Sequence, residues 1–133
     1  MFNESQTLLD ASDQAEINTG YMTIEEKDGF TQMKASALKR QMDFEVPVNI
    51  VDVRERDEFQ EAHIAGAKNY PLSELADWID TLDPEQEYIV LCRSGARSTQ
   101  ATWQMEAKGY KVVNIEDGLM SWPGEVVKGG NEQ

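Results

Sequence analysis

One cysteine and one histidine stand among the 133 residues. A single cysteine can form neither an internal disulfide nor a C-x-x-C metal or redox pair, so any cysteine chemistry rests on Cys92 alone. Nothing in the chain is built for an oxidising compartment. No run approaches the roughly 20 apolar residues that span a bilayer. The start, Met1-Phe2-Asn3-Glu4, has neither the basic nor the apolar stretch of a targeting peptide, and a soluble cytoplasmic protein is expected. Basic residues are scarce, 12 Lys and Arg against 25 Asp and Glu, for a formal charge of −13. Such a surface repels polyanions, which excludes nucleic acid and anionic membrane as partners. Internal repeats and low-complexity segments are absent, and nothing specifies an oligomeric state.

At 40% apolar content the chain can build one core but has no room for two ordinary domains. Residues 1–29 carry Glu4, Asp10, Asp13, Glu16, Glu25, Glu26 and Asp28 against Lys27 alone, and read as an acidic extension with some helical character. A short apolar segment over Phe30–Met33 precedes a predicted helix from Ser36 to Met42, with Leu38 and Met42 four apart, and Pro47 closes that unit. The runs at 48–53 (VNIVDV), 88–91 (YIVL) and 112–115 (VVNI) are β-branched and nearly continuously apolar, the pattern of strands covered on both faces. Ser73 is placed to cap a helix in which Leu75, Ile79 and Leu82 recur until Asp83-Pro84 stops it. A further helix is predicted from Ser98 to Lys108, ended by Gly109 in a left-handed cap. Strands alternating with helices give an α/β, doubly wound, mainly parallel sheet with helices on both faces.

Cys92 follows directly on the strand 88–91, and Arg93-Ser94-Gly95-Ala96-Arg97 fills the gap before the next helix. Its thiol therefore lies at the carboxyl edge of a parallel strand, where open α/β sheets place their ligands. A tight loop entering a helix turns several backbone N–H groups into one concavity, and Gly95 permits the turn. These amides, the helix end and the two guanidinium groups are expected to favour the Cys92 thiolate. Between Glu87 and Glu106 there is no acidic residue, so Arg93 and Arg97 mark an anion-tolerant spot on an acidic protein. A lone cysteine at a strand end can also be a small buried hydrophobe; the flanking arginines and Gly95 argue for a nucleophile in an anion cradle. Ser98 is either a plain helix cap or a substrate contact.

The run C-R-S-G-A-R-S at 92–98 resembles the active-site loop of the rhodanese sulfurtransferases. The likeness continues upstream in Asp52-Val53-Arg54, Glu58-Phe59 and His63-Ile64-Ala65-Gly66-Ala67, and downstream in Ala101, Gly109-Tyr110, Val113, Gly118 and Trp122. It divides the chain into the extension at 1–29, a rhodanese-like domain at 30–128 and a tail at 129–133. Ala65 stands where many members have proline, Asp117 where glycine is common, and Trp103 where an aliphatic residue is usual. The resemblance implies a sulfurtransferase in which Cys92 carries sulfane sulfur as a persulfide held by the amides of residues 93–97. The sulfur would come from thiosulfate or a persulfide, and Arg93 and Arg97 would orient a small anionic donor, with thiosulfate favoured over mercaptopyruvate. A thiol, cyanide or a protein would accept the sulfur in a ping-pong cycle, without metal or organic cofactor.

Asp52, Arg54 and Glu58 are expected to form a supporting ion-pair network, and His63 a structural hydrogen bond. Trp78, Trp103 and Trp122 are assigned to the core or its margins. Two other functions compete. A cysteine phosphatase or arsenate reductase shares the logic of a thiolate in an amide-lined loop, but those enzymes resemble a C-x5-R pattern, whereas Arg97 closes C-x4-R here. A persulfide carrier or interaction module is the second alternative.

Overall fold

The computed structural model describes residues 24–27 and 30–129. The rest of the acidic extension and the tail residues 130–133 lie outside the described residues. Six strands form one sheet in the order β1-β2-β6-β5-β3-β4: β1 Ile24–Lys27, β2 Phe30–Met33, β3 Ile50–Asp52, β4 Lys68–Asn69, β5 Glu87–Leu91 and β6 Lys111–Ile115. All neighbours are parallel except β1, which runs antiparallel to β2 with Ile24 opposite Met33. Ile24–Lys27, which the sequence leaves in the acidic extension, is thus an edge strand of the sheet.

The period-two alternation of the strands sorts the core into two layers. Ile50, Ile89, Leu91, Val113 and Ile115 point to one face and pack with Ala35, Ala37 and Leu38 of α1 (Ala35–Asp43) and Phe59 of α2 (Arg56–Glu61). Val51, Tyr88, Val90, Cys92 and Val112 point to the other, against Trp78 of α3 (Leu75–Trp78) and Ala101 and Met105 of α4 (Ala96–Ala107). Helices cover both faces, and the three continuous apolar runs are the buried centre. Among the described residues no helix is long and apolar enough to cross a membrane.

Three local expectations need correction. Ser73 caps no helix: its hydroxyl donates to Glu55 Oε1 at 2.8 Å from inside a 3-10 turn, Leu72–Glu74. The following helix lasts four residues, because the Trp78 carbonyl accepts both the Thr81 N–H (3.0 Å) and the Thr81 hydroxyl (2.8 Å), which tightens the chain into a turn. Ile79 and Leu82 still reach the core. Trp103 is 53% exposed on α4 and belongs to neither layer. Asp117, one of the departures from the family pattern, anchors a helix start, since its Oδ1 accepts the Ala35 N–H at 2.8 Å where α1 begins.

Candidate active site

Beyond β3 the chain turns outward to β4, and beyond β5 it turns the opposite way to β6. The point where successive connections diverge is the crevice at which open parallel sheets bind ligands. Two loops meet there. The one after β3 leads through Val53–Glu55 into α2, and the one after β5 leads through Cys92–Gly95 into α4. The Val53 N–H donates to the Leu91 carbonyl at 2.9 Å, so the two loops start side by side.

Cys92 is 1% exposed. Its sulfur accepts the Gly95 N–H at 3.0 Å and lies 3.5 Å from the Ser98 hydroxyl. Burial acts most strongly on this thiol and opposes its ionisation. The hydroxyl and N–H of Ser98 together with the N–H groups of Gly95 and Ser94 outweigh burial, and the net effect holds the thiol below its ordinary pKa. The stabilisation expected from the guanidinium groups is replaced in the first rank by backbone amides and one hydroxyl. Ser98 is not a helix cap. Gly95 takes the N-cap position with φ +110°, and Ser98 is wholly buried in the first turn, its hydroxyl donating to the Gly95 carbonyl at 3.2 Å beside the neutral thiol and within reach to turn its one proton onto the sulfur when Cys92 ionises.

Two glycines make the loop possible. A Cβ on Gly95 would sit 2.2 Å from the Glu116 carbonyl oxygen, and one on Gly118 (φ +72°) would sit 2.2 Å from the Arg93 carbonyl oxygen. The segment after β6 presses against the back of the Cys92 loop and holds it there: Leu119 N–H donates to the Cys92 carbonyl (2.8 Å) and Met120 N–H to that of Arg93 (3.0 Å). Nothing in the sequence pattern assigned this buttress to the site, although Gly118 was its visible signal.

Ser94 and Ala96 are exposed on the loop, as is Arg93, whose guanidinium has no partner among the described residues. Arg97 is engaged. Its Nη1 and Nη2 donate to Glu58 Oε1 (2.7 Å) and Oε2 (3.1 Å), a bidentate pair bridging the first turns of α2 and α4 across the crevice. The Arg97 bond holds the Glu58 carboxyl down to about 2 against the opposing effect of burial. Asp52 and Arg54 lie beneath, both buried. Arg54 Nε and Nη2 donate to Asp52 Oδ1 (2.9 Å) and Oδ2 (2.8 Å), and Nη2 also donates to the Ala62 carbonyl at the end of α2 (2.7 Å). His63, stacked on Phe59 with Nδ1 2.8 Å from the Phe59 carbonyl, is buried away from the loop. A cavity of about 680 Å³ opens at the opposite edge of the sheet, beside Phe44, Pro47 and Gln86, and includes none of the loop residues.

The rhodanese-like domain family model matches residues 34–125, most of the chain and the whole of this site. The chain belongs to the rhodanese-like family. It is 34% identical over 94 residues to a Bacillus subtilis protein named "Putative sulfurtransferase YtwF", covering 71% of this chain and 91% of that one. It is 33% identical over 107 residues to "Putative sulfur carrier protein YrkF" of the same species, covering 80% of this chain and 58% of that longer one. The crystal structure of a rhodanese-like domain protein from Staphylococcus aureus superposes with a TM-score of 0.68 at 29% identity, covering 73% of this chain and 96% of that one. Sulfur transfer is the class of chemistry that this rhodanese-like chain shares with its named relatives.

Because the Ser98 hydroxyl is the largest of the influences that favour the thiolate, Ser98→Ala is expected to raise the thiol pKa. At pH 7 alkylation of Cys92 should slow about tenfold. The wild-type rate rises as pH climbs through the lowered pKa and then levels, and the variant's rise should come at higher pH. Superimposable iodoacetamide pH profiles for the two proteins would disprove the role given to Ser98.

Proposed function

We propose that the protein moves sulfane sulfur from a donor to a thiophilic acceptor through a persulfide on Cys92. The observation that carries this reading is the Cys92 sulfur held at the carboxyl end of β5 by the Gly95 N–H and beside the Ser98 hydroxyl, with its thiol pKa lowered. A thiolate is the attacking form of cysteine, and an unassisted thiol is only a few per cent ionised at neutral pH.

In the first half-reaction the Cys92 thiolate attacks the outer sulfur of thiosulfate, forming the Sγ–S bond as the donor S–S bond breaks and sulfite leaves. A persulfide donor reacts in the same way and releases its thiol. The anionic outer sulfur of the Cys92 persulfide can take the place of an anion in the turn of amides. In the second half-reaction cyanide, a small thiol or a protein thiol takes that outer sulfur and the Cys92 thiolate returns. A cytoplasmic setting, rich in small thiols, suits a lone reduced cysteine.

The test is the intact mass of the protein before and after thiosulfate or a small-molecule persulfide, in the absence of reductant. A gain of one sulfur atom that cyanide removes is expected, together with parallel lines in two-substrate velocity plots. No gain from either donor would overturn the reading. Phosphate ester hydrolysis is disfavoured by the six-position loop and by Glu58, which already occupies the guanidinium a phosphatase would turn on the phosphate. A carrier that passes sulfur to one protein partner is the variant favoured by the likeness to YrkF. Slow turnover with small thiols alongside full sulfur loading would identify it.

A further inference from the structure

We propose that Glu58 is a specificity-determining residue: by holding Arg97 in a bidentate pair across the mouth of the Cys92 loop, it selects carbon-bound persulfides over thiosulfate as donors. The inference rests on the sulfur-transfer reading above and names its donor class.

Both terminal nitrogens of Arg97 are spent on one carboxylate, at 2.7 and 3.1 Å. That carboxylate is itself fixed from its own helix, since Glu58 Oε1 accepts the Glu55 N–H at 2.9 Å in a capping box at the start of α2. The two side chains are each 33% exposed, so the pair stands at the lip of the crevice where a donor must pass. With its pKa near 2, Glu58 stays charged at every working pH. Lys34 is paired with Glu116 at 3.3 Å. Among the described residues Arg93 is therefore the one loop cation without a carboxylate partner.

The two donors place different demands on that charge balance. Attack on thiosulfate brings the Cys92 thiolate against a dianion and yields a persulfide anion and sulfite dianion, three negative charges throughout. Attack on an alkyl persulfide, R–S–SH, breaks its S–S bond and forms the Sγ–S bond. The leaving sulfur takes the proton that the outer sulfur carried, so one negative charge is conserved; the ionised donor, R–S–S⁻, brings the total to two, still one fewer than with thiosulfate. The amides of Ser94, Gly95 and Ser98 are matched to one negative charge at Sγ. Three charges call for cations, and one of the two loop guanidinium groups is neutralised by Glu58, on a protein of net charge −13.

The experiment compares single-turnover loading of Cys92, read by intact mass, from thiosulfate and from the persulfide of 2-mercaptoethanol, in wild type and Glu58→Gln. Glutamine at this position retains the capping-box hydrogen bond, so α2 should form. Glu58→Gln is expected to raise the thiosulfate rate about tenfold, through a lower apparent KM, and to change the persulfide rate less than about twofold. An unchanged or lower thiosulfate rate in the folded variant overturns the proposal. A wild-type measurement stands beside it: moderate salt should speed thiosulfate loading by screening repulsion and leave persulfide loading nearly level, and a steep fall with thiosulfate counts against the proposal. Failure of both donors to load wild-type Cys92 would remove the sulfur-transfer reading itself, a result distinct from either of these.

Discussion

Cys92→Ser is expected to abolish sulfur loading and to lower sulfur transfer by more than about a thousandfold, with the fold intact. The serine hydroxyl is far less acidic than the thiol, and the hydrogen bonds that lower the Cys92 pKa cannot bring an alcohol near ionisation at neutral pH. An oxygen nucleophile also forms no persulfide, so the sulfur has no resting place between the half-reactions. The fold should survive because the substitution keeps a small side chain that accepts the Gly95 N–H and faces the Ser98 hydroxyl. This separates the two readings of a cysteine that is 1% exposed at the end of a core strand. A packing cysteine would give a variant with lowered stability and unchanged activity, whereas a nucleophile gives unchanged stability and lost activity. Sulfur uptake by the serine variant equal to that of wild type would show that the sulfur is carried elsewhere, since no second cysteine exists.

The centre of the sheet was legible in the sequence because its strands are covered on both faces, so their apolar runs are continuous. The edge was not. Ile24-Glu25-Glu26-Lys27 has one apolar residue in four, and its strand rests on backbone pairing with Phe30–Met33, which composition does not record. The helix carrying Arg97 is readable, but the sequence signals put its start two residues late because Ser98 looks like a cap. The spacing of Ser98, Ala101, Thr102 and Met105, all buried, marks Ser98 as part of the inward face, a signal present in the sequence. Cys92 and its loop are legible from a strand end, the flanking arginines, a glycine and a helix start, and from the resemblance of 92–98 to the rhodanese loop. What one chain could not reveal is how residues far apart meet there. Glu58 and Arg97 are 39 positions apart, and only the topology that sets β3 beside β5 brings them within hydrogen-bond distance. Reading both arginines as donor-binding cations takes no account of the Glu58 pairing of Arg97, which sequence distance hides.

Arg54→Met is expected to destabilise the protein by about 3–5 kcal/mol, a large part of the stability of an ordinary domain. Asp52 is fully buried, and its carboxylate is held by Arg54 Nε and Nη2 and by the Arg54 N–H at 3.1 Å. Methionine removes the counter-charge and leaves the carboxylate with one backbone donor, in a setting where an unpaired charge costs far more than an unfilled methyl site. The same guanidinium also caps the Glu58 and Ala62 carbonyls of α2 at 3.3 and 2.7 Å, so the helix that presents Glu58 to Arg97 loses its anchor. Asp52→Asn combined with Arg54→Met should recover part of the loss, because removing both charges leaves no uncompensated ion. Denaturant midpoints of the wild type, the single variant and the double variant decide between the outcomes. A loss below about 1 kcal/mol in Arg54→Met, or a double variant no better than the single one, would show that the pair is not what fixes α2. The expected outcome would tie the stability of the buried Asp52–Arg54 pair to the placement of Glu58, so that the residue proposed to set donor choice is held in register by charges that never meet the donor.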